Sequence, residues 1–278
     1  MFAKLSRKGL LTLGLLLIFG PGCRTMNRSK PAEGTSLPPS LPLHEAYCQT
    51  YKKRSEQAPE TPAAGAANGY GVFTATVQNV PAYMDYLKHA REVLPKYKGR
   101  AVMWGPNVMN LLEGQAGGYF FMILEFPSIQ DFDKFYCSPE YQPKIIKERL
   151  DATRVVLSVA KEGDASSSGV DSSSKGEDVK GFILFNDVVT DAKAYSRYLD
   201  AATELAQASG GRRIFSGGSH TMIEGKAEDA PQNLTLFTFP SIEKLKEWYD
   251  SPAYQRLKAE RLKASEVKFV IAKKGLAT

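Results

Sequence analysis

The chain has 278 residues, and 36 Lys and Arg against 30 Asp and Glu give it a net charge of +6 at pH 7. An excess of basic residues normally suggests that a protein binds nucleic acid. Residues 1–68, however, hold nine of the basic and four of the acidic residues, so they carry +5 of the +6. The rest of the chain is close to neutral, and the sequence therefore predicts no nucleic-acid partner.

The first 23 residues have the pattern of an export signal. Lys4, Arg7 and Lys8 precede an uncharged stretch over 10–19, and small residues lead up to Cys23. That apolar stretch is too short to span a bilayer, which needs roughly 20 residues. The pattern therefore predicts a cleaved signal peptide and not a transmembrane helix.

The residues before Cys23 resemble a bacterial lipobox, in which the cysteine is acylated. Lipoboxes prefer Leu where this chain has Gly20, so ordinary cleavage and a fortuitous cysteine stay as alternatives. Lipidation of Cys23 would make a membrane the partner of the chain. Arg24 rather than Asp after the cysteine then implies export to the outer membrane, with the protein facing the periplasm.

Residues 24–68 are rich in Pro, Ala, Ser and charge, and we predict a flexible tether, with a helical turn over Leu43–Tyr51 as a minor alternative. Cys48 in this segment and the later Cys137 allow two interpretations. An oxidising compartment would permit a disulfide between them. Two unpaired thiols are the favoured expectation, because the sequence does not show that the Cα atoms come close enough.

The remainder of the chain contains one unit twice. The run Phe126–Gln142, which begins Phe-Pro-Ser-Ile and ends Ser-Pro-Glu-Tyr-Gln, returns at Phe239–Gln255 with an offset of 113. A near-constant offset over a whole unit indicates tandem duplication of one domain. We place the first repeat at 69–160, a Ser- and Gly-rich linker at 161–180 and the second repeat at 181–274.

Each unit shows the order β-α-β-β-α-β, which is typical of a ferredoxin-like α+β domain. The strands are predicted over 71–77, 100–114, 119–126 and 155–159 in the first repeat and over 181–189, 212–225, 233–239 and 267–271 in the second. We interpret 100–114 and 212–225 each as one strand with a glycine bulge. Ser128, Ser241 and Asp191 are expected to cap the helices that follow them.

The third strand of the first repeat is apolar on both faces. Phe120, Met122 and Leu124 alternate with Phe121 and Ile123, whereas the helices of one unit cover one face of its sheet. A strand of this kind needs cover on both sides. The sequence therefore predicts that the two repeats pack sheet to sheet.

With its sheets, helices and repeated Phe-Pro-Ser run, each unit resembles domain of unknown function 1330, a member of the dimeric α/β-barrel superfamily. The resemblance implies that two ferredoxin-like units join their sheets into a barrel, normally as a homodimer and here within one chain, so that a monomer acts as a pseudo-dimer. The superfamily includes cofactor-independent monooxygenases, isomerases, haem-handling proteins and stress-response barrels. The resemblance therefore does not carry over one activity.

Ten residues form the candidate site, because they keep the same type at matching positions and fit the family pattern. They are Arg100, Glu113, Tyr136, Tyr141 and Arg149 in the first repeat and Arg212, Glu224, Tyr249, Tyr254 and Arg261 in the second. In a cleft between sheet and helices, Arg would bind a small anionic molecule and Glu or Tyr would move a proton. The alternative, which we favour, is that these side chains pair and pack as scaffold, because buried ion pairs imitate active sites.

The sequence indicates neither a metal nor a cofactor. His44, His89 and His220 do not match between the repeats, and no pair has metal-ligand spacing. Ser241 and Lys244 form a Ser-x-x-Lys pattern, but Asp131 replaces the lysine in the first repeat, so Ser241 is expected to be a helix cap.

Three functions stay open at this point. The leading hypothesis is a lipid-anchored cell-envelope module for small-molecule binding or protein interaction. The alternative is a cofactor-independent oxygenase or isomerase that uses the Arg/Glu/Tyr residues, and a weaker option is a purely structural tethered domain. A deep apolar pocket that opens on Arg and Glu would favour the enzyme, and a filled core would favour binding or structure.

Overall fold

The computed structural model describes residues 41–57, 67–106, 111–115, 120–164, 180–226 and 230–276. The predicted signal peptide, Cys23 and most of the predicted linker lie outside these residues. Within the described ranges, we find no helix of the length and apolar character that crossing a membrane requires.

The α+β fold with two ferredoxin-like repeats is confirmed. A helix precedes the repeats, α1 (Leu43–Gln57). The first repeat contains β1 (Gly69–Val77), α2 (Val80–Val93), a 3₁₀ turn (Leu94–Tyr97), β2 (Arg100–Pro106), β3 (Leu111–Gly114), β4 (Phe120–Phe126), α3 (Ile129–Tyr136), α4 (Lys144–Ala152) and β5 (Thr153–Glu162). The second repeat contains β6 (Gly181–Val189), α5 (Ala192–Ala208), β7 (Arg212–Phe215), β8 (Thr221–Gly225), β9 (Asn233–Phe239), α6 (Ile242–Asp250), α7 (Pro252–Ala264) and β10 (Ser265–Lys274).

Side-chain caps start the helices where the sequence placed them. Ser128 and Ser241 accept hydrogen bonds from the main-chain N–H groups three residues on, at 3.1 and 3.2 Å. Asp191 caps α5 in the same way, through Ala194 at 2.9 Å. Each cap satisfies one N–H that the first turn of a helix leaves without a partner.

The strands form two five-stranded sheets that face each other. Their orders are β2-β4-β1-β5-β8 and β3-β10-β6-β9-β7, and the pairings are antiparallel. Residues from both sheets, among them Tyr70, Ile123, Phe215 and Leu236, share one buried cluster between the sheets. The other face of each sheet packs under the helices of its own repeat. The prediction that the repeats pack sheet to sheet within one chain is therefore confirmed.

The predicted single strand with a glycine bulge is wrong. β2 pairs with β4 in its own sheet, whereas β3 pairs with β10 of the second repeat; likewise β8 of the second repeat pairs with β5 of the first. The chain departs at Gly105, whose φ of +132° suits glycine, and at Pro106, which cannot donate to a ladder. Each repeat thus contributes one edge strand to the sheet of the other repeat.

Two expectations for the N-terminal segment are also wrong. Residues 43–57 of the predicted flexible tether form α1, which contacts α3 and β8, so the helical alternative over Leu43–Tyr51 is the correct one for this stretch. Cys48 and Cys137, expected as unpaired thiols, form a disulfide with a Cα–Cα distance of 5.3 Å. The physical reason is that α1 lies along the first repeat, which brings two cysteines 89 positions apart into reach of each other.

Candidate functional site

Because the edge strands are exchanged, most of the predicted site residues form two sets, and each set contains residues from both repeats. In the first set, Tyr136 of α3 and Arg149 of α4 meet Glu224 of β8. In the second, Tyr249 of α6 and Arg261 of α7 meet Glu113 of β3. The glutamate that the sequence assigned to one repeat therefore completes the set of the other.

In the first set, Arg149 and Glu224 form an ion pair in which the side chains are 3% and 4% exposed. The hydroxyl of Tyr136 donates to the same Oε1 of Glu224 that accepts from Arg149. The guanidinium also lies 5.5 Å from the ring centroid of Phe73. Burial raises the pKa of Tyr136 well above its ordinary value, and the charge of Glu224 raises it further, so this phenol stays protonated.

In the second set, Arg261 is fully buried between two carboxylates. Its Nη1 donates to Asp187 at 3.0 Å and its Nη2 to Glu113 at 2.5 Å. Glu113 also accepts from Tyr249 at 2.5 Å and pairs with Lys258 at 3.3 Å. Burial raises the pKa of Asp187, while the charge of Arg261 opposes that rise.

The formal charges balance in the ion pairs that the structure describes. In these pairs, the first set holds Arg149 against Glu224, and the second holds Arg261 and Lys258 against Glu113 and Asp187. Ala75 stands in the first repeat where the second has Asp187. A set that is already neutral has no surplus positive charge with which to attract an anion.

Tyr141 and Tyr254 pack inside their sets, and both rings are about 1% exposed or less. The ring of Tyr254 is tilted by 38° against that of Trp248, with centroids 4.1 Å apart, and its hydroxyl lies 3.3 Å from that of Tyr198. Tyr141 contacts the rings of Phe135 and Tyr136. These contacts are those of core residues.

Arg100 and Arg212 are not brought to the two sets. Arg100 binds Glu125 through Nε at 2.6 Å, and Glu125 also accepts from Tyr70 at 2.9 Å. Arg212 lies on β7 in register with Thr238, the counterpart of Glu125. These arginines therefore belong to a separate cluster.

A small cavity of about 40 Å³ lies between the first sheet and α2, lined by Tyr86, Trp104 and Met122 with further apolar residues and Arg91. Neither Arg149 nor Glu224 lines it. A deep apolar pocket that opens on an Arg–Glu pair was the feature expected of an enzyme. This cavity does not have that form.

A larger cleft, of about 650 Å³, lies where α1 covers the first repeat. Six of its fourteen lining residues are on α1, namely Leu43, Ala46, Tyr47, Thr50, Tyr51 and Arg54. The others are Ile129, Gln130 and Asp133 of the α3 region, Lys161 of β5, and Ser219, His220, Thr221 and Met222 at the start of β8. Volumes of this size are typical of small-molecule sites.

Lys161 is the unusual residue of this cleft. It is 2% exposed, and its Nζ donates to the main-chain oxygens of Ser219 at 2.7 Å and Gly217 at 3.2 Å. Within the described part of the chain, no carboxylate lies within 4.0 Å of that Nζ. Burial lowers the pKa of Lys161 to about 8, and the charge of Asp164 only partly offsets this.

His220 lies beside this lysine. Burial lowers the pKa of the imidazole, and the charge of Lys161 lowers it further, so the ring is neutral at pH 7. A main-chain hydrogen bond to Gly218 acts on this pKa in the opposite direction, and Nδ1 is buried, with no hydrogen-bond partner of good geometry in the described residues. The cleft therefore has a buried ammonium and a neutral imidazole side by side in its lining.

The sequence interpretation missed these residues, although a signal for Lys161 was present. Val159-Ala-Lys161 ends the first repeat as Ile271-Ala-Lys273 ends the second. Burial lowers the pKa of Lys273 too, and a Cβ at Gly105 would collide with its Nζ. Lys161 in the same way contacts Gly217, the counterpart of Gly105. The helix α1 is the part that makes a cleft in the first repeat.

The described residues contain no cluster of three or more His, Cys, Asp or Glu side chains with the arrangement of a metal site. We therefore assign no metal ligands among them.

Comparison with solved structures finds distant likenesses. A presumed monooxygenase from Lactobacillus acidophilus NCFM is 16% identical, with 76% of this chain and 93% of that chain covered and a TM-score of 0.44. An anthrone oxidase-like protein is 12% identical, with 76% and 92% covered and a TM-score of 0.45. Chlorite dismutase from Candidatus Nitrospira defluvii, in complex with imidazole, is 10% identical, with 81% and 95% covered and a TM-score of 0.43. Likenesses this distant say nothing about what this chain binds or does.

No curated protein matches the chain. One family model, described as Domain of unknown function (DUF1330), matches residues 68–162 and again residues 180–274. Both matched ranges coincide with the repeats, and together they cover more than half of the chain. The chain therefore belongs to the DUF1330 family and carries its domain twice.

Proposed function

We propose that this protein is a lipid-anchored cell-envelope module whose folded part binds a small organic anion in the cleft beneath α1. The observation that carries the binding half is the buried ammonium of Lys161, which faces a cleft of about 650 Å³ and is held by main-chain carbonyls. A buried charge is unfavourable unless it is fully paired, and the charge of Asp164, which also pairs with Arg213, offsets the burial of this ammonium only in part. An anionic ligand would supply further counter-charge.

The lining of the cleft indicates the class of ligand. Lys161 would donate its third N–H to a carboxylate, and His220 would offer a second hydrogen bond beside it. Tyr47, Tyr51 and Met222 provide apolar wall a short distance away in the same cleft. We therefore propose a small carboxylate with an aromatic or otherwise apolar body.

Benzoate is a suitable probe, with benzyl alcohol as its uncharged analogue. In calorimetric titration of the full chain at pH 7, benzoate should bind and benzyl alcohol should bind at least about tenfold more weakly, because one lost charged hydrogen bond is worth about 1.5 kcal/mol or more. Lys161→Met should abolish benzoate binding. Lys273→Met removes the matching lysine of the other repeat and should leave binding unchanged. The proposal would be refuted if benzoate and benzyl alcohol bind with equal affinity, or if Lys161→Met binds benzoate as tightly as the wild type does.

The anchoring half rests on Cys23 and its flanking residues, together with the Cys48–Cys137 disulfide. Disulfides persist in oxidising compartments such as the periplasm, so this bond supports export. The Cys23→Ser variant should stay an unprocessed precursor and be lost from the outer-membrane fraction. Unchanged processing and fractionation of that variant would refute the anchor.

The oxygenase or isomerase alternative, with the Arg/Glu/Tyr residues as its site, stays a prediction. The neutral charge balance of both sets and their mutual hydrogen bonds favour a scaffold role. The barrel closes within one chain, which supports a monomer that acts as a pseudo-dimer. The near-neutral repeats support no nucleic-acid partner.

A further inference from the structure

We propose that reduction of the Cys48–Cys137 disulfide releases α1 from the first repeat and opens the anion cleft, so that the redox state of this bond controls binding. The inference rests on the proposed binding function, because it concerns the same cleft. It adds a means of regulation that neither the family nor the site residues imply.

The contacts of α1 make its position dependent on the disulfide. Cys48 is the one buried residue of this helix, at 8% exposure, and Cys137 is 7% exposed. The other anchors are the rings of Tyr47 and Tyr51, which pack against the core of the first repeat, and two polar contacts to Asp133. Tyr47 donates to Asp133, and Arg54, itself 54% exposed, pairs with the same carboxylate at 2.8 Å. A helix of 15 residues is marginal in water by itself, so α1 keeps its position through these contacts and the disulfide.

The helix forms one wall of the cleft, and the two repeats together form the other. Lys161 lies on β5 of the first repeat and His220 beside β8 of the second, whereas Tyr47, Tyr51 and Arg54 lie on α1. The ring of Tyr47 also packs edge-on against Tyr136, with centroids 5.9 Å apart. If α1 leaves, water reaches Lys161 and the apolar wall that would hold the body of the ligand is gone. Binding of an organic anion should then weaken sharply.

The second repeat shows that the helix is an addition to the basic fold. Asp250 stands at the position of Cys137, and Lys246 stands at the position of Asp133. The residues that fasten α1 are therefore absent from the matching helix, although Lys273 matches Lys161. Redox control would act on the first repeat and spare the second.

The chemical step is thiol–disulfide exchange with an external dithiol. One thiolate of the dithiol attacks a sulfur of the bond and forms a mixed disulfide, and one cysteine leaves as a thiolate. The second thiol of the dithiol then displaces the other cysteine. Two electrons pass to the protein, which ends with two thiols after protonation, and the dithiol ends as a disulfide.

Two measurements on the full chain test the proposal, each with oxidised protein and with protein reduced by dithiothreitol. Hydrogen exchange of residues 43–57 reports the release of α1, and calorimetric titration with benzoate reports the cleft. The Cys48→Ser/Cys137→Ser double variant reproduces the reduced state without reductant. Circular dichroism and hydrogen exchange of β6 and β9 check that the repeats stay folded.

Reduction should accelerate exchange across α1 at least tenfold, weaken benzoate binding at least tenfold and leave β6 and β9 unchanged. The double variant should behave as reduced protein with or without dithiothreitol. Unchanged exchange in α1 after reduction, or benzoate affinity that is the same in both states, would overturn the inference. If oxidised protein does not bind benzoate, the binding proposal fails by itself, and exchange of α1 still decides whether the disulfide holds the helix.

Discussion

Replacing Lys161 by Met should stabilise the protein while it abolishes ligand binding. Burial lowers the pKa of this ammonium from 10.5 to about 8, which means that the folded state disfavours the charged form by about 3 kcal/mol. Methionine removes that cost but leaves the carbonyls of Gly217 and Ser219 without the donor that they now have, at about 1 kcal/mol each. The expected net effect at pH 7 is a gain of about 1 kcal/mol in the free energy of unfolding.

Urea unfolding of oxidised wild type and Lys161→Met would measure this difference. The advantage of the variant should shrink as the pH rises from about 8 towards 10.5. Over that range the unfolded wild type still holds the lysine proton while the folded protein has lost it, so the stability of the wild type rises with pH. A variant that is 2 kcal/mol or more less stable at pH 7 would show that Lys161 is a structural link, and the reasoning would be refuted.

The remaining predictions concern the scaffold and the proton on the lysine. Arg149→Met and Arg261→Met should each lose about 3 to 5 kcal/mol in urea unfolding, because each removes the guanidinium that pairs with a buried carboxylate, and neither should alter benzoate affinity; stable variants that lose the ligand would instead favour the Arg/Glu/Tyr site. Residues 69–162 alone should dimerise or aggregate in light scattering, since the second repeat covers one face of their sheet and supplies β8; a monodisperse monomer would contradict this. Benzoate affinity should fall about fivefold between pH 8 and pH 9 as Lys161, with a pKa of about 8, loses its proton; a flat pH profile would exclude this ammonium as the anion-binding group.

The repeat and the barrel could be predicted because several independent features of the sequence agree. A duplicated run fixes the number of units, and capping residues at Ser128 and Ser241 fix where helices begin. The two apolar faces of β4 require a second sheet. Each of these features lies within a short stretch of sequence. They can therefore be found without knowing which distant segments contact each other in the fold.

The strand exchange and the position of α1 could not be predicted, because both depend on contacts between distant segments. An interruption at Gly105 looks the same whether the strand bulges or the chain crosses to another sheet. In α1, Leu43, Tyr47 and Tyr51 recur every four residues, which favours a helical turn but does not show what that turn packs against. Its position follows from a disulfide that closes over 89 positions, which sequence spacing does not encode.

Duplication also explains why the positions that the repeats share are poor guides to function in this chain. In both repeats, an Arg–Glu ion pair links the edge strand contributed by the other repeat to a helix. Arg149 and Arg261 therefore have the same structural role in the two repeats. Lys161 is shared as well, but it faces a cleft because α1 covers the first repeat. Positions that differ between the repeats are therefore the better guide to a binding activity. The foremost of them is Cys137, which corresponds to Asp250 in the second repeat.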